Sequence, residues 1–199
     1  VLFFSDNGGV QNVGDNGPQR GAKATPYQGG IRVAAAARWP QAGIEGGKEI
    51  DARMGYIDMM PTLKKIVGLE EEAVHPFDGL DVSGAMRGEG TLPDRSWFTY
   101  FDQNDDHVEK LAVNYDTFKL VVHRPAPDSE PTKPTDVELF AIREDSQEAN
   151  NRVDLEGERG TELLKEIDDF LSLKHENQIE RFYVGKQEFV APTDWVAKS

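Results

Sequence analysis

The sequence predicts a two-part chain: an α/β section over residues 1–90, then a smaller α+β unit and tail over residues 91–199. Three observations carry this. The chain opens on an apolar run, Val1-Leu2-Phe3-Phe4, that stops at Ser5-Asp6-Asn7-Gly8-Gly9, which reads as a buried strand of a parallel sheet with polar groups at its carboxyl end. Gly84, Gly88 and Gly90 crowd one stretch before Pro93 and mark a candidate boundary. Beyond it, four short aromatic and β-branched runs precede one amphipathic helical pattern.

Composition narrows the function classes. The chain has 199 residues, 38% of them hydrophobic and 29% charged, enough apolar mass for a core. Acidic residues outnumber basic ones, 36 to 22, and the net charge of −14 argues against a nucleic-acid partner. No apolar run reaches the roughly 18 residues that span a bilayer. With no cysteine there is neither a disulfide framework nor a thiol nucleophile. A first residue that is Val inside a strand leads us to expect a longer protein upstream.

Taken in order, residues 10–21 are small and polar and form a loop hung from the Asp6-Asn7 pair. After Gly29-Gly30, the run Ile31 to Trp39 reads as a second buried strand ended by Pro40. Asp58 to Gly68 reads as a complete helix, with Asp58 as N-cap, Pro61 in the first turn and Gly68 as the stop. Met59, Met60, Leu63, Ile66 and Val67 keep helical spacing and are expected to pack in the core. Strands are expected at Trp97–Phe101, Leu111–Tyr115, Phe118–Val122 and Val137–Phe140, forming a roughly four-stranded antiparallel sheet. Residues 125–134 form a Pro-rich loop, and Thr161–Leu173 forms a helix with Leu163, Leu164, Ile167, Phe170 and Leu171 on one face. The tail from Lys174 shows no clear period.

Asp6 and Asn7 offer a carboxylate and an amide oxygen, hard donors of the kind Ca²⁺ or Mg²⁺ takes. Asn7-Gly8 is equally a tight-turn signal, so the pair alone leaves both readings open. A succession of segments adds to it: Ser5 to Gly9, Arg20-Gly21-Ala22-Lys23, Gly29-Gly30-Ile31-Arg32-Val33, Arg38-Trp39-Pro40, Ile57 to Leu63, Phe77-Asp78-Gly79, and Leu139-Phe140 through Asp145 to Glu148. Together, in this order, they resemble the type I, arylsulfatase-like sulfatases. Gln28 stands where that family usually has Glu and Ala34 where it often has Pro, while Phe140 and Gln147 depart from its closing hairpin signature.

The resemblance implies the C-terminal part of an alkaline phosphatase-like doubly wound sheet, followed by the small α+β unit. It implies that Asp6 and Asn7 are two ligands of one divalent cation, Ca²⁺ or else Mg²⁺, and that Lys23 contacts the substrate sulfate. A compact ammonium suits that role, pairing with a sulfate oxygen as charge develops. Lys23 also reads, more plainly, as a solvated surface lysine. His75, before Pro76-Phe77-Asp78-Gly79, is a candidate substrate contact or simply an exposed loop residue; the four histidines show no metal spacing. Arg32 inside an apolar strand needs a partner and is read as structural. The implied nucleophile is a formylglycine made in a Cys/Ser-x-Pro-x-Arg motif, which these residues lack, so this chain alone is expected to be inactive. Thr91-Leu92-Pro93-Asp94-Arg95 copies the spacing, but Thr is not converted to formylglycine.

The implied activity is sulfate-ester hydrolysis on a sulfated small molecule or carbohydrate, in a periplasmic or extracellular setting. A phosphoesterase of the same superfamily is a second reading, weakened by Asn7, since many of those enzymes place a metal-binding His there. A non-catalytic binding protein on the same scaffold is a third. The severed sheet edge at Val1–Phe4 is expected to recruit a strand and give an oligomer.

Overall fold

A computed structural model describes residues 1–70, 76–101, 108–125 and 135–173. Its largest feature is a four-stranded antiparallel sheet in the simple order β3-β4-β5-β6, built from Trp97–Phe101, Val108–Tyr115, Phe118–Pro125 and Asp136–Ala141. All four expected runs fall inside these strands. Tyr115 pairs with Phe118 across a tight turn, which fixes the β4–β5 register and sends Leu111, Val113, Leu120 and Val122 to one face. Helix α4, Gly157–Ser172, lays Leu163 and Ile167 on that face. Phe170 stacks on Phe98 with ring centroids 4.4 Å apart. Each of these buried aliphatic side chains contributes about 1.5–3 kcal/mol by leaving water. The opposite face buries Ala112, Val121 and Phe140 against Tyr27, a residue of the first half.

The first 90 residues differ more from expectation. Strand β1 is only Leu2–Phe4, and it pairs antiparallel with β2, Ala35–Ala37. Among the described residues the pair stands as a two-stranded ribbon, not as part of a parallel sheet. Phe3 and Phe4 are exposed, because no described layer packs over the ribbon. The expected strand from Ile31 to Trp39 shrinks to these three alanines. Before it, Gln28–Ile31 turns as one short helix, α1. Gly29 is there for packing: an added Cβ would sit 2.2 Å from the Gly21 carbonyl oxygen and 2.7 Å from that of Arg20. Arg32 is exposed, so it needs no buried partner.

Helix α2, Met59–Val67, ends at Gly68 as expected, with φ 72° and its N–H on the Lys64 and Lys65 carbonyls. Its N-terminus is built differently. Asp58 closes a preceding 3-10 turn, Tyr56–Asp58, and its side chain makes no cap bond to α2. Fully buried, it accepts from the Gly55 N–H at 2.9 Å, the Leu80 N–H at 2.9 Å and Arg95 Nη2 at 2.6 Å. Gly79 lies where a Cβ would meet the Ile57 carbonyl oxygen at 1.9 Å, which accounts for glycine in Phe77-Asp78-Gly79. Helix α3, Ser83–Arg87, follows. The apolar stripe of α2 is not all core: Met60 and Val67 are exposed. No helix among the described residues is long and apolar enough to cross a membrane. The Pro-rich stretch 126–134 and the tail from Lys174 lie outside the described residues.

Candidate functional site

The loop after β1 is organised by backbone bonds that carry it back onto α1. Gly8 N–H donates to the Gly30 carbonyl at 2.9 Å, and an added Cβ on Gly8 would overlap the Gly29 carbonyl oxygen. Asn16 clasps the next stretch: its Oδ1 accepts the Gly9 N–H at 2.7 Å, and its Nδ2 donates to the carbonyls of Gly9 at 3.2 Å and Gly21 at 3.3 Å. Lys23 then returns to the start of the loop, its N–H donating to the Gly9 carbonyl at 3.0 Å. A residue sixteen positions after Asn7 is thereby fixed two residues from it.

Lys23 sits at the corner of a turn from Ala22 to Thr25. Thr25 N–H donates to the Ala22 carbonyl at 3.1 Å, and Thr25 Oγ1 both donates to that carbonyl at 2.7 Å and accepts the Ala22 N–H at 3.2 Å. Ala24 holds φ 69°, the left-handed conformation such a turn needs at its third position and one that costs a residue with a Cβ. The Lys23 side chain is exposed.

Asp6 is exposed and Asn7 half-buried. Asp6 Oδ1 accepts the Asn7 N–H at 3.0 Å, while Asn7 Nδ2 donates to the Gly8 carbonyl at 3.0 Å. That donation occupies Nδ2, and among the described residues no hydrogen bond is made to Asn7 Oδ1. Two adjacent hard oxygens fit part of a Ca²⁺ shell, which takes about 6–8 oxygens. No group of three or more His, Cys, Asp and Glu side chains suited to a metal occurs among the described residues. Tyr56 borders the pair: its hydroxyl donates to the Ser5 carbonyl, and its ring lies 5.2 Å from that of Phe4. Burial and the Asp6 charge raise the Tyr56 pKa. His75 lies outside the described residues.

Behind the loop lies a polar network that spacing alone did not reveal. Arg20 Nη1 donates to Glu138 Oε1 at 2.9 Å and to the Glu148 carbonyl at 3.1 Å, and Nη2 donates to the Tyr27 hydroxyl at 3.1 Å. The Tyr27 hydroxyl donates in turn to Glu138, and burial and this partner push its pKa up. Lys119 and Glu148 form a fully buried ion pair. Burial pulls the Lys119 pKa down to about 8, with Glu148 opposing the shift. The sequence held one signal: Lys119 stands inside the apolar run Phe118-Lys119-Leu120-Val121-Val122, where a charge requires a partner. Arg95, the end of the false motif, is occupied structurally, on Asp58 and 4.1 Å over the Trp97 ring.

No protein-family model matches the chain. It is 31% identical over 110 residues to human steryl-sulfatase, covering 51% of this chain and 19% of that protein. It is 36% identical over 105 residues to the N-acetylgalactosamine-6-sulfatase of the dog, covering 50% of this chain and 20% of that protein. The chain thus aligns with about a fifth of the length of these curated relatives. Among solved structures, Ps i-CgsB in complex with k-i-k-neocarrahexaose shares the fold, with TM-score 0.69 and 20% identity over 85% of this chain and 35% of that one. Over about half of its length this chain is thus similar in sequence to sulfatases, and it shares its fold with that solved structure.

Proposed function

We propose that this chain is part of a sulfatase that hydrolyses aryl or carbohydrate sulfate esters, with residues 1–90 contributing to its catalytic domain. One observation carries the reading: the Lys23–Gly9 backbone bond sets the lysine turn against the strand end that bears Asp6 and Asn7. An exposed lysine whose backbone is tied two residues from two hard oxygen donors suits a sulfate monoester, whose oxygens can be shared between a cation and a lysine. Asp6 and Asn7 would hold a divalent cation, Ca²⁺ before Mg²⁺, which when bound supplies positive charge to the sulfate oxygens. Lys23 supplies a second, fixed positive charge that strengthens as the ester oxygen departs. The nucleophile, a formylglycine, belongs to a part of the protein outside these residues. Nothing observed favours the phosphoesterase or the non-catalytic reading. Action on extracytoplasmic sulfated substrates follows from the same proposal.

The test compares 4-nitrophenyl sulfate with 4-nitrophenyl phosphate as substrates of the full-length protein that carries this chain. Faster sulfate release, dependent on added Ca²⁺, is expected. Preference for the phosphate, or turnover of neither, would refute the reading.

A further inference from the structure

We propose that Glu148 is a positioning residue that locks the Lys23 turn to the second sheet. Three separate bonds converge on it from the loop and its surroundings. Its Oε2 accepts the Gln28 N–H at 2.7 Å, its Oε1 accepts from Lys119 Nζ, and its main-chain carbonyl accepts Arg20 Nη1 at 3.1 Å. Arg20 and Gln28 flank the Lys23 turn on either side, so one residue grips both stems of the segment that presents Lys23. Gln28 contributes only its backbone to this grip.

The surroundings of Glu148 are built to hold it. The residue is 1% exposed and adopts φ 54°, a conformation that costs a residue with a side chain. That backbone is fixed by Asp145, whose carbonyl accepts the Glu148 N–H at 3.1 Å and whose carboxylate accepts the N–H groups of Ala149 at 3.0 Å and Asn150 at 2.8 Å. Lys119, on the central strand β5, anchors the carboxylate from the sheet side. A buried ion pair of this kind is a weak source of stability but a strong source of geometry, since either charge left alone is costly. Apart from the Lys23 N–H bond to the Gly9 carbonyl, the turn has only local bonds and an unfavourable Ala24 conformation, so it leans on its stems for its place.

Hydrogen exchange of the 199-residue chain tests this directly. Glu148→Asp keeps a negative charge beside Lys119 but withdraws the carboxylate from Gln28 by one carbon–carbon bond. Exchange at Lys23, Gln28 and Gly29 is expected to rise about tenfold or more, while Val113 and Leu120 in the sheet keep their protection. Unchanged exchange at those three loop amides overturns the proposal. If the sheet amides lose protection too, the double variant Glu148→Met/Lys119→Met decides by the same criterion, since it takes the side-chain acceptor away from Gln28 and leaves no unpaired buried charge. A second arm uses 4-nitrophenyl sulfate and the full-length protein, and it alone rests on the sulfatase reading. There Glu148→Asp is expected to lower kcat on the order of tenfold with KM little changed, as for a displaced catalytic group. Loosened loop amides with unchanged kcat would overturn the link to Lys23. No turnover by the unsubstituted protein would overturn the sulfatase reading instead, leaving the exchange result to stand.

Discussion

Replacing Asp58 with Ala removes the acceptor for three donors at once. The Gly55 and Leu80 N–H groups lose bonds of 2.9 Å each, and Arg95 loses one of 2.6 Å. Hydrogen bonds to a charged group contribute about 1.5–3 kcal/mol each, and removing one member of a buried charge pair costs about 3–5 kcal/mol. Arg95 keeps some solvent and its place over Trp97, so the lower end applies to its share. Taking the lower end of each range, the total expected for Asp58→Ala is about 6 kcal/mol, with Asp58→Asn about half of that because the amide oxygen can still serve one donor. Urea denaturation followed by tryptophan fluorescence is the assay, since Trp97 lies beside the broken bridge. The effect should also reach the candidate site. Tyr56, in the turn that Asp58 closes, donates to Ser5 next to Asp6. A loss below about 1 kcal/mol for Asp58→Ala would show that the three donors find water instead, and that Asp58 is not a hub.

Four further outcomes are expected. In the full-length protein, Lys23→Ala should lower sulfate-ester turnover on the order of 10²–10³-fold, read as kcat on 4-nitrophenyl sulfate; unchanged kinetics would take Lys23 out of the site. Ala24→Gly should relieve the positive φ of 69° and raise stability by about 1 kcal/mol, measured as a shift in the urea midpoint. Lys119 titrates near pH 8 when folded but at 10.5 when free, so between these values the unfolded chain holds the extra proton and stability rises with pH. That rise should be seen from about pH 8 to 10 against the Glu148→Met/Lys119→Met variant, above which the raised Tyr27 pKa acts in the opposite sense. The exposed Phe3 and Phe4 on a one-sided ribbon should drive self-association of the isolated 199-residue chain, visible by light scattering as a mass above 22.2 kDa.

The second half of the chain was more legible than the first, for a physical reason. In β3 to β6, aromatic and β-branched runs separated by turns reflect neighbours close in sequence: Tyr115 meets Phe118, and Phe118 meets Ala141. The α4 stripe reads true because Leu163 and Ile167 face a sheet already formed from those strands. In the first half, Ala34 to Ala37 would suit a helix on their own, and Gly29-Gly30, read only as the point where a strand begins, is packed on the Arg20, Gly21, Ala22 and Thr25 carbonyls. Asp6, Asn7 and Lys23 stand out in the sequence as candidates, and the loop ties Lys23 to Gly9, two residues after Asn7. The grip behind them was not legible. Its bonds join Arg20 to Glu138 across 118 positions and Gln28 to Glu148 across 120, and no local pattern encodes such pairs.

The Asn16 clasp divides its loop into two regimes of inheritance. Below it, backbone bonds tie Gly8 to Gly30 and Gly9 to Lys23, the Asn16 side chain joins the Gly9 and Gly21 carbonyls, and a side chain on Gly8 or Gly9 would collide with what it touches. Above it, residues 10–15 are all exposed, with Val13 86% open to water. Gly14 alone is held, since an added Cβ would meet Gly9 Cα at 2.7 Å; exchange of the other five is expected to leave the Gly9 to Lys23 bond unchanged. Descendants of this chain can therefore rewrite most of this exposed stretch while the Lys23 turn stays where it is. Under the proposed function, new substrate preferences would arise there without rebuilding the turn beneath.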